Sequence, residues 1–352
     1  MNIEDLMNLC ADRGASDLHL TVGRPPVFRL GGRLKNLDAP ALTSADTEAL
    51  AKSLIPARLQ AEFEEKGTVD FGYSFGEKAR FRVSILHQKG SVGLVMRLIP
   101  SRLLTFEQIG LPDHLKDLLV KPRGLILVTG PTGSGKTTTM ATMIDYLNRH
   151  HDRHIITVED PIEYYHEHQK SVITQREIGT DVPSFEEAMR RALRQDPDVI
   201  LLGEMRDLET ISTAITAAET GHLVLGTLHT TGSARTVDRI IDSFPTEQQE
   251  QIRAQLAGGI LAVISQVLLP RIDRQGVIAA FEVMVNTSSI ENHIRKGESF
   301  KIYSDIQTGK RRGMQLLDDH LHELVREGYV ASDVAIAMAQ KPEDLRGKIG
   351  IE

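Results

Sequence analysis

The sequence has few of the residues that several large classes of protein require. A single cysteine, Cys10, occurs in 352 residues, so the chain cannot form an internal disulfide or a cysteine-cluster zinc site within one copy. Tryptophan is absent, only 5% of the residues are aromatic, and the net charge is −7. Proteins that follow a nucleic-acid strand use basic grooves and stacked aromatic side chains. The composition therefore disfavours a nucleic-acid translocase, and the single cysteine suits a reducing compartment.

Long hydrophobic runs are also missing. No run approaches the roughly 20 apolar residues that span a bilayer, and Met1–Asp5 lacks the basic and apolar segments that open a secretory signal. Hydrophobic residues nevertheless make up 41% of the chain and charged residues 25%, which is enough for two folded domains with a sizeable core. We expect a soluble cytoplasmic protein without a nucleic-acid partner.

A glycine-rich segment is the strongest feature that the sequence does contain. Leu125–Thr129 is an apolar run that predicts a buried strand, and the residues after it match the pattern G-x-x-x-x-G-K-[ST] of a phosphate-binding loop. Apolar residues then recur at helical spacing, so bound phosphates would lie at a helix N-terminus. In such a loop Lys136 reaches the outer phosphates and the Thr137 hydroxyl binds Mg2+. The predicted nucleotide-binding residues are Gly130, Pro131, Thr132, Gly133, Ser134, Gly135, Lys136, Thr137 and Thr138.

The pattern of apolar residues divides the chain into four parts. Residues 1–100 mix short strands and helices and predict an α+β domain, whereas residues 101–123 predict a linker with a lead-in helix. In residues 124–285 buried strands alternate with helices, which predicts an α/β domain with a parallel sheet and right-handed crossovers. Within this part, the apolar run Leu256–Leu269 predicts a helix that a proline ends. Residues 286–352 predict a small region of short helices.

Hydrolysis of a nucleotide needs an acidic partner for the phosphate loop, and two strand ends offer one. Val199–Leu202 is an apolar strand followed closely by Glu204, which we predict to polarise the attacking water or to bind Mg2+. The alternative is that Glu204 only caps the next helix. Ile155–Val158 leads into three carboxylates that end with Glu163. A solvated acidic turn would explain them, but ligands bind at this end of the strands in open α/β folds, which favours a role for Glu163 with Mg2+ or water.

Two histidines and two arginines are further candidates. His222 and His229 flank the predicted strand Leu223–Leu228, where they are either structural residues or contacts to the γ-phosphate. Arg82 and Arg97 lie on predicted strands of the first domain and have apolar neighbours on both sides. An arginine brought from a neighbouring domain or subunit can stabilise phosphoryl transfer. The alternative is that both arginines are ordinary surface residues of a sheet.

Taken together, the motifs resemble those of a known family. Four segments, in this order, resemble the Walker A, Asp box, Walker B and His box of the secretion ATPase superfamily: Gly130–Thr137, Thr157–Glu163, Leu202–Asp207 and Thr220–Thr230. Near the start, Ser16–Leu20 and Phe81–Ser84 resemble the PilT branch, the type IV pilus retraction ATPases. The similarity covers nearly the whole chain.

This resemblance implies a fold, an activity and partners. The implied fold is a RecA-like P-loop ATPase domain with a PAS-like N-terminal α+β domain, and the implied assembly is a hexameric ring that binds ATP at the junction of the two domains. Carried over by position, Glu204 is the catalytic carboxylate, Glu163 helps with metal or water, His222 and His229 are the His-box pair, and Arg82 and Arg97 reach the phosphates. The implied activity is ATP hydrolysis that drives pilus disassembly and twitching motility. The implied partners are the inner-membrane platform protein at the base of the pilus and related pilus ATPases.

One C-terminal segment departs from the family pattern. The retraction motif of the branch reads close to Ala-Ile-Arg-Asn-Leu-Ile-Arg-Glu, and the matching Ser289–Lys296 differs at Glu291 and His293. The chain also lacks the cysteines of the zinc module that extension ATPases carry. The differences at Glu291 and His293 leave open a principal retraction motor, a PilU-like accessory or a specialised paralogue. A nucleotide-gated regulatory protein without motor output is a further alternative.

Overall fold

The computed structural model describes residues 2–76, 78–99 and 103–351. These residues form two compact units. The first comprises the described residues up to 99 together with Pro161–Tyr165, and the second comprises residues 103–160 and 166–351. Residues 286–351 belong to the second unit.

The first unit is a six-stranded antiparallel sheet with three helices, in the strand order β3-β2-β1-β6-β5-β4. Alternate residues of the long strands enter its core, which contains Phe28, Phe81 and Met96. The tight turn Gly31–Gly32 joins two strands, because both glycines adopt the positive φ that such a turn requires. The elements are α1 Ile3–Asp12, β1 Asp17–Leu20, β2 Val27–Leu30, β3 Arg33–Asn36, α2 Ser44–Leu54, α3 Ala57–Lys66, β4 Thr68–Phe75, β5 Ala79–Gln88 and β6 Ser91–Ile99.

The second unit is built on a seven-stranded sheet in the order β13-β12-β7-β11-β10-β8-β9. All neighbouring strands are parallel except β13, which is antiparallel to β12. The α/β fold predicted for this part of the chain is therefore confirmed. Its strands are β7 Gly124–Thr129, β8 His154–Glu159, β9 Val172–Glu177, β10 Val199–Leu202, β11 Leu223–Leu228, β12 Ile260–Pro270 and β13 Val277–Val285.

The helices of the second unit pack on this sheet. The apolar residues of the C-terminal helices, such as Leu317 and Leu321, pack against Leu269 of β12 and Ala280 of β13. None of the helices in the described part of the chain combines the length and the apolar character needed to cross a membrane. The helices are α4 Phe106–Ile109, α5 Lys116–Leu119, α6 Lys136–His150, α7 Phe185–Ala192, α8 Leu208–Thr220, α9 Ser233–Asp242, α10 Thr246–Gly259, α11 Ser288–Lys296, α12 Ile302–Thr308, α13 Leu317–Arg326, α14 Ser332–Met338 and α15 Pro342–Ile349.

The helix predicted over Leu256–Leu269 is wrong for most of its length. Helix α10 ends at Gly259, Ile260 has extended backbone angles, and the chain continues as β12. This strand is covered on both faces, so nearly all of its residues are buried and its sequence shows no polar alternation. A continuous apolar run of this kind fits a buried helix equally well. Strand β9 was not predicted at all, because four of its six residues are polar and it lies at the sheet edge.

The sheet brings three chain segments together at the carboxyl ends of its parallel strands, which we call the carboxyl edge. In the register of the parallel strands, Thr129 at the end of β7 lies beside Leu228 of β11, and Leu202 at the end of β10 lies beside Gly226. The segments that follow these strand ends therefore emerge at the same edge of the sheet, where open α/β folds bind ligands. They carry the phosphate loop, Glu204 and His229.

Candidate active site at the carboxyl edge of the parallel sheet

The glycine-rich loop between β7 and α6 has the shape of a phosphate cradle. Gly130, Gly133 and Gly135 have φ angles of +145°, +80° and +88°, which side-chain-bearing residues rarely adopt. A Cβ atom at Gly130 would also lie 2.2 Å from the backbone oxygen of Gln266 on β12. Helix α6 begins at Lys136 and its N-cap is Gly135, which has no side chain to occupy the N–H groups of the first turn. These groups are available to an anion.

Lys136 folds back over this loop. Its Nζ donates hydrogen bonds to the backbone oxygens of Gly130 at 2.8 Å and Pro131 at 3.0 Å. Burial lowers the pKa of Lys136, and the negative charge of Glu204 opposes only part of that effect. The ammonium group of Lys136 therefore lies against the loop, close enough to Glu204 for their charges to interact.

Backbone contacts fix the position of Glu204 after β10. The Gly203 N–H donates to the oxygen of Val158 at 2.8 Å, and the Thr227 hydroxyl donates to the oxygen of Gly203 at 2.5 Å. A Cβ at Gly203 would lie 3.2 Å from the same Val158 oxygen. Glu204 is thus held by the strands on both sides of β10.

The carboxylate of Glu204 is held in its ionised form. Its Oε1 lies 2.5 Å from Arg206 Nε and 3.0 Å from His229 Nε2. Burial raises the pKa of Glu204, but the hydrogen bonds and charges of Arg206 and His229 outweigh burial, so the pKa lies below its ordinary value of 4.5. Glu204 also raises the pKa of Arg206, with a smaller contribution from Asp160. An ionised carboxylate held in this way can accept a hydrogen bond from a water molecule.

Two residues of this site were missed by the sequence prediction. Arg206 lies two positions after Glu204, and only its immediate sequence neighbourhood pointed to it. Gln266 is 1% exposed and contacts the phosphate loop from β12. The signal for Gln266 was the polar pair Ser265–Gln266 inside an apolar run, which the helix prediction obscured.

Of the four remaining predicted site residues, one lies elsewhere in the second unit and three belong to the first unit. His222 lies before β11, where its carbonyl accepts a hydrogen bond from Gly124 N at the start of β7. His222 and His229 therefore lie at opposite ends of the same strand. The rise per residue of a β-strand places them roughly 20 Å apart. This placement gives no support to the prediction that His222 contacts the phosphates of its own protomer. The other three, Glu163, Arg82 and Arg97, belong to the first unit.

Arg82 and Arg97 form a pair within that first unit. They are directly opposite each other on β5 and β6, and both are exposed. Arg97 Nε donates to Asp17 Oδ1 at 2.9 Å, and Asp17 also lies 3.4 Å from Arg29 Nε. Burial raises the pKa of Asp17, but hydrogen bonds from Arg97 and Ser16 outweigh it and lower the pKa. The buried carboxylate of Asp17 therefore holds Arg97 and Arg29 in place on the sheet. The action of Arg82 and Arg97 on phosphates stays a prediction.

The donor set fits a nucleotide with Mg2+. The buried Ser134 Oγ has no hydrogen-bond partner among the described residues, so this hydroxyl can bind a ligand in the loop. Thr137 and Glu204 supply hydroxyl and carboxylate oxygens, which Mg2+ prefers. No group of three or more His, Cys, Asp or Glu residues in the described ranges is placed to hold a metal. Nucleotide sites bind Mg2+ through one or two protein oxygens and the phosphates.

Comparison with known proteins places this site in a family. The model of the type II/IV secretion system protein family matches residues 63–349. The type IV pilus retraction ATPase PilT of Pseudomonas aeruginosa is 47% identical over 98% of this chain and 100% of its own length. The type IV pilus ATPase PilU of the same organism is 38% identical over 98% of this chain and 91% of its own length.

A solved structure extends the likeness to three dimensions. The crystal structure of the pilus retraction motor PilT with bound ADP superimposes with a TM-score of 0.92. It is 44% identical in sequence, and the match covers 99% of each chain. The chain therefore belongs to the type II/IV secretion system protein family, in its PilT branch.

Proposed function

We propose that this chain is a Mg2+-dependent ATP hydrolase whose turnover drives type IV pilus retraction. The observation that carries the enzymatic part is the convergence of Lys136 on the phosphate loop with an ionised Glu204 at the same sheet edge. A protein that only binds nucleotide has no need of a carboxylate held by Arg206 and His229 beside that loop. The geometry therefore favours hydrolysis over passive binding.

The chemistry assigns a task to each group. The N–H groups of the loop and the first turn of α6 bind the phosphates, and Lys136 neutralises their outer charge. Thr137 and Glu204 would hold Mg2+, which when bound neutralises charge on the transferring phosphoryl group. Glu204 orients the attacking water by accepting a hydrogen bond from it, while His229 and Arg206 keep the carboxylate ionised and in place.

The remaining predicted residues need a second structural unit. In our proposal Glu163, Arg82 and Arg97 approach the nucleotide from the first unit of the same or a neighbouring protomer, and the protein acts as a homohexameric ring. Loss of the γ-phosphate then releases the two units from each other, as in other switches that a phosphate holds closed. His222 has no place in this proposal because of its position at the opposite sheet edge.

Assignment to pilus retraction is supported by the relatives. Identity to the retraction ATPase PilT is 47%, against 38% to PilU. We propose that the protein works in the cytoplasm at the inner-membrane base of the pilus and binds the platform protein there, with related pilus ATPases as further partners.

The segment Ser289–Lys296 supports a second candidate, an accessory or a specialised paralogue. His293 lies 3.2 Å from Asp305 on α12 and 3.4 Å from Glu298, and Glu291 pairs with Arg295. Both substituted positions thus have polar partners of their own, which an apolar leucine at position 293 could not engage.

Phosphate release by the purified protein tests the enzymatic proposal. The natural protein should hydrolyse ATP with Mg2+ and lose activity when Mg2+ is chelated. Glu204→Gln should bind a fluorescent ATP analogue yet turn over at least about 100-fold more slowly, the scale of losing a group that acts on the reacting atoms. Glu209→Gln, an exposed glutamate on α8, is the matched control. Absence of turnover by the natural protein, or rapid turnover by Glu204→Gln, would contradict the proposal. A monomer in light scattering with nucleotide would contradict the ring.

A further inference from the structure

We propose that Gln266 is a positioning residue of the phosphate loop, an inference that rests on the proposed nucleotide hydrolysis at that loop. Gln266 lies on β12, one residue past Ser265, which is in register with Thr129 at the end of β7. The strand therefore continues alongside the loop after β7 has ended. Its side chain is 1% exposed, so every polar contact that it makes is shielded from water.

The amide group of Gln266 joins two parts of the nucleotide site. Nε2 donates to the backbone oxygen of Ser134 in the loop at 2.5 Å, and Oε1 accepts from the Thr139 hydroxyl on α6 at 2.8 Å. Both partners are buried. A glutamine is one of the few side chains that offers a donor and an acceptor side by side without carrying charge.

The contact with Ser134 determines where the next N–H group points. In a trans peptide the C=O and N–H bonds point in opposite directions. Because the oxygen of Ser134 faces Gln266, the N–H of Gly135 faces away from β12. Gln266 thus turns this N–H toward the side of the loop that is open to an anion, at the N-cap of α6.

Glycine positions in the loop leave room for this contact. A Cβ at Gly130 would lie 2.2 Å from the Gln266 backbone oxygen, and a Cβ at Gly135 would lie 3.1 Å from Gln266 Nε2. Two loop glycines therefore allow the close approach of the same β12 residue. This relationship gives Gly130 and Gly135 a packing role in addition to their positive φ angles.

The test compares nucleotide binding in matched variants of the full chain. Gln266→Met preserves volume but removes both hydrogen bonds. It should weaken ADP binding by about tenfold, raise KM for ATP by a similar factor, and change kcat little, since one oriented donor is worth roughly one such factor. Gln315→Met is the control, because Gln315 Nε2 likewise donates to a backbone oxygen, that of Phe281, at 3.0 Å. The thermal stability of Gln315→Met should fall about as much as that of Gln266→Met, while the ADP affinity of Gln315→Met stays that of the natural protein.

Two further variants separate positioning from packing. Thr139→Val removes the other partner of the amide but leaves the Ser134 contact, so ADP affinity should stay within about twofold of natural. Gln266→Glu keeps the acceptor for Thr139 and loses the donor to Ser134, so it should lose ADP affinity as Gln266→Met does, and it serves if Gln266→Met does not fold. Hydrogen exchange at the Thr139 amide, which donates to the Gly135 oxygen at 3.0 Å, should accelerate in both Gln266 variants in the nucleotide-free protein.

Natural ADP affinity together with natural hydrogen exchange at the Thr139 amide, in Gln266→Met or in Gln266→Glu, would overturn the proposal. These measurements do not require hydrolysis. A natural protein that binds ADP without hydrolysing ATP would contradict the proposed function alone and leave the role of Gln266 standing.

Discussion

His229 Nε2 lies 3.0 Å from Glu204 Oε1, and the two residues follow adjacent parallel strands. The contact joins the end of β10 to the end of β11 and leaves Glu204 ionised beside the phosphate loop. Thr230, next to His229, is fixed in turn by the contact of its hydroxyl with that of Thr236 on α9 at 2.7 Å. The position of the proposed catalytic carboxylate thus depends on how this short segment is held.

Removal of the His229 side chain should slow hydrolysis more than it weakens binding. His229→Ala takes away one of the two groups that hold Glu204, so we expect kcat to fall about tenfold or more, with ADP affinity nearly unchanged. His229→Gln, which keeps a donor, should recover part of the loss. His150→Ala, an exposed histidine on α6, is the control. An unchanged kcat in steady-state ATP assays of His229→Ala would exclude this role.

Lys136→Ala should act on binding. The Nζ group lies against the loop carbonyls of Gly130 and Pro131, where it faces incoming phosphate charge. We expect ATP and ADP affinity to fall about 10- to 100-fold, the scale of losing a charge-assisted contact. Titration with a fluorescent nucleotide measures the change, and Lys121→Ala, in an exposed position, should bind normally.

A partly buried histidine should make stability depend on pH. Burial lowers the pKa of His166 from 6.5 to about 4, and its Nδ1 has no hydrogen-bond partner among the described residues. The unfolded chain therefore binds a proton between these pH values while the folded chain does not, so stability is complete above pH 6.5 and falls as the pH drops toward 4. Through His166 alone, the free energy of unfolding should fall by about 2 kcal/mol when the pH is lowered from 7 to 5.

The measurement is denaturant unfolding of the natural protein and of His166→Phe at both pH values. The variant should lose less stability on acidification by about that amount. His322→Phe serves as the comparison. Equal losses in the natural protein and His166→Phe would show that His166 is protonated in the folded state.

A buried carboxylate should tie the C-terminal helices to the sheet. Glu282 on β13 is 2% exposed and accepts hydrogen bonds from Ser233 N at 2.7 Å, from Ser233 Oγ at 2.8 Å and from Gln340 Nε2 at 2.7 Å. Glu282→Ala leaves these donors unpaired and should destabilise the second unit by about 3 kcal/mol. Glu282→Gln with Gln340→Glu exchanges the donor and the acceptor and should recover much of that loss. Thermal unfolding of the single and double variants measures it, and additive losses would refute the coupling.

Much of this fold could be predicted because its signals are local. Strands β7, β8, β10 and β11 are each marked by an apolar run. Glycine or a carboxylate follows the apolar run of β7, β8 and β10, which marks the phosphate loop and Glu204 as well. The hairpin at Gly31–Gly32 is marked by its glycines. Strand β12 was mistaken for a helix because burial on both faces removes the alternation that distinguishes strands.

The rest of the site depends on long-range pairing. Gln266 reaches Ser134 from 132 positions away, and only the register of β12 with β7 shows that they are neighbours. The position of His222 also follows from the sheet. It flanks the same strand as His229, and because β11 is extended, the two histidines lie at opposite ends of that strand.

Counting pilus retraction in the cell shows whether ATP hydrolysis by this protein drives it. Retraction events of fluorescently labelled pili are counted after deletion of the gene and after restoring the natural sequence, Glu204→Gln or Glu209→Gln. We expect that deletion stops retraction, that the natural sequence and Glu209→Gln restore it, and that Glu204→Gln does not. Retraction that continues without the gene, or that returns with Glu204→Gln, would contradict the claim that hydrolysis by this protein drives pilus retraction.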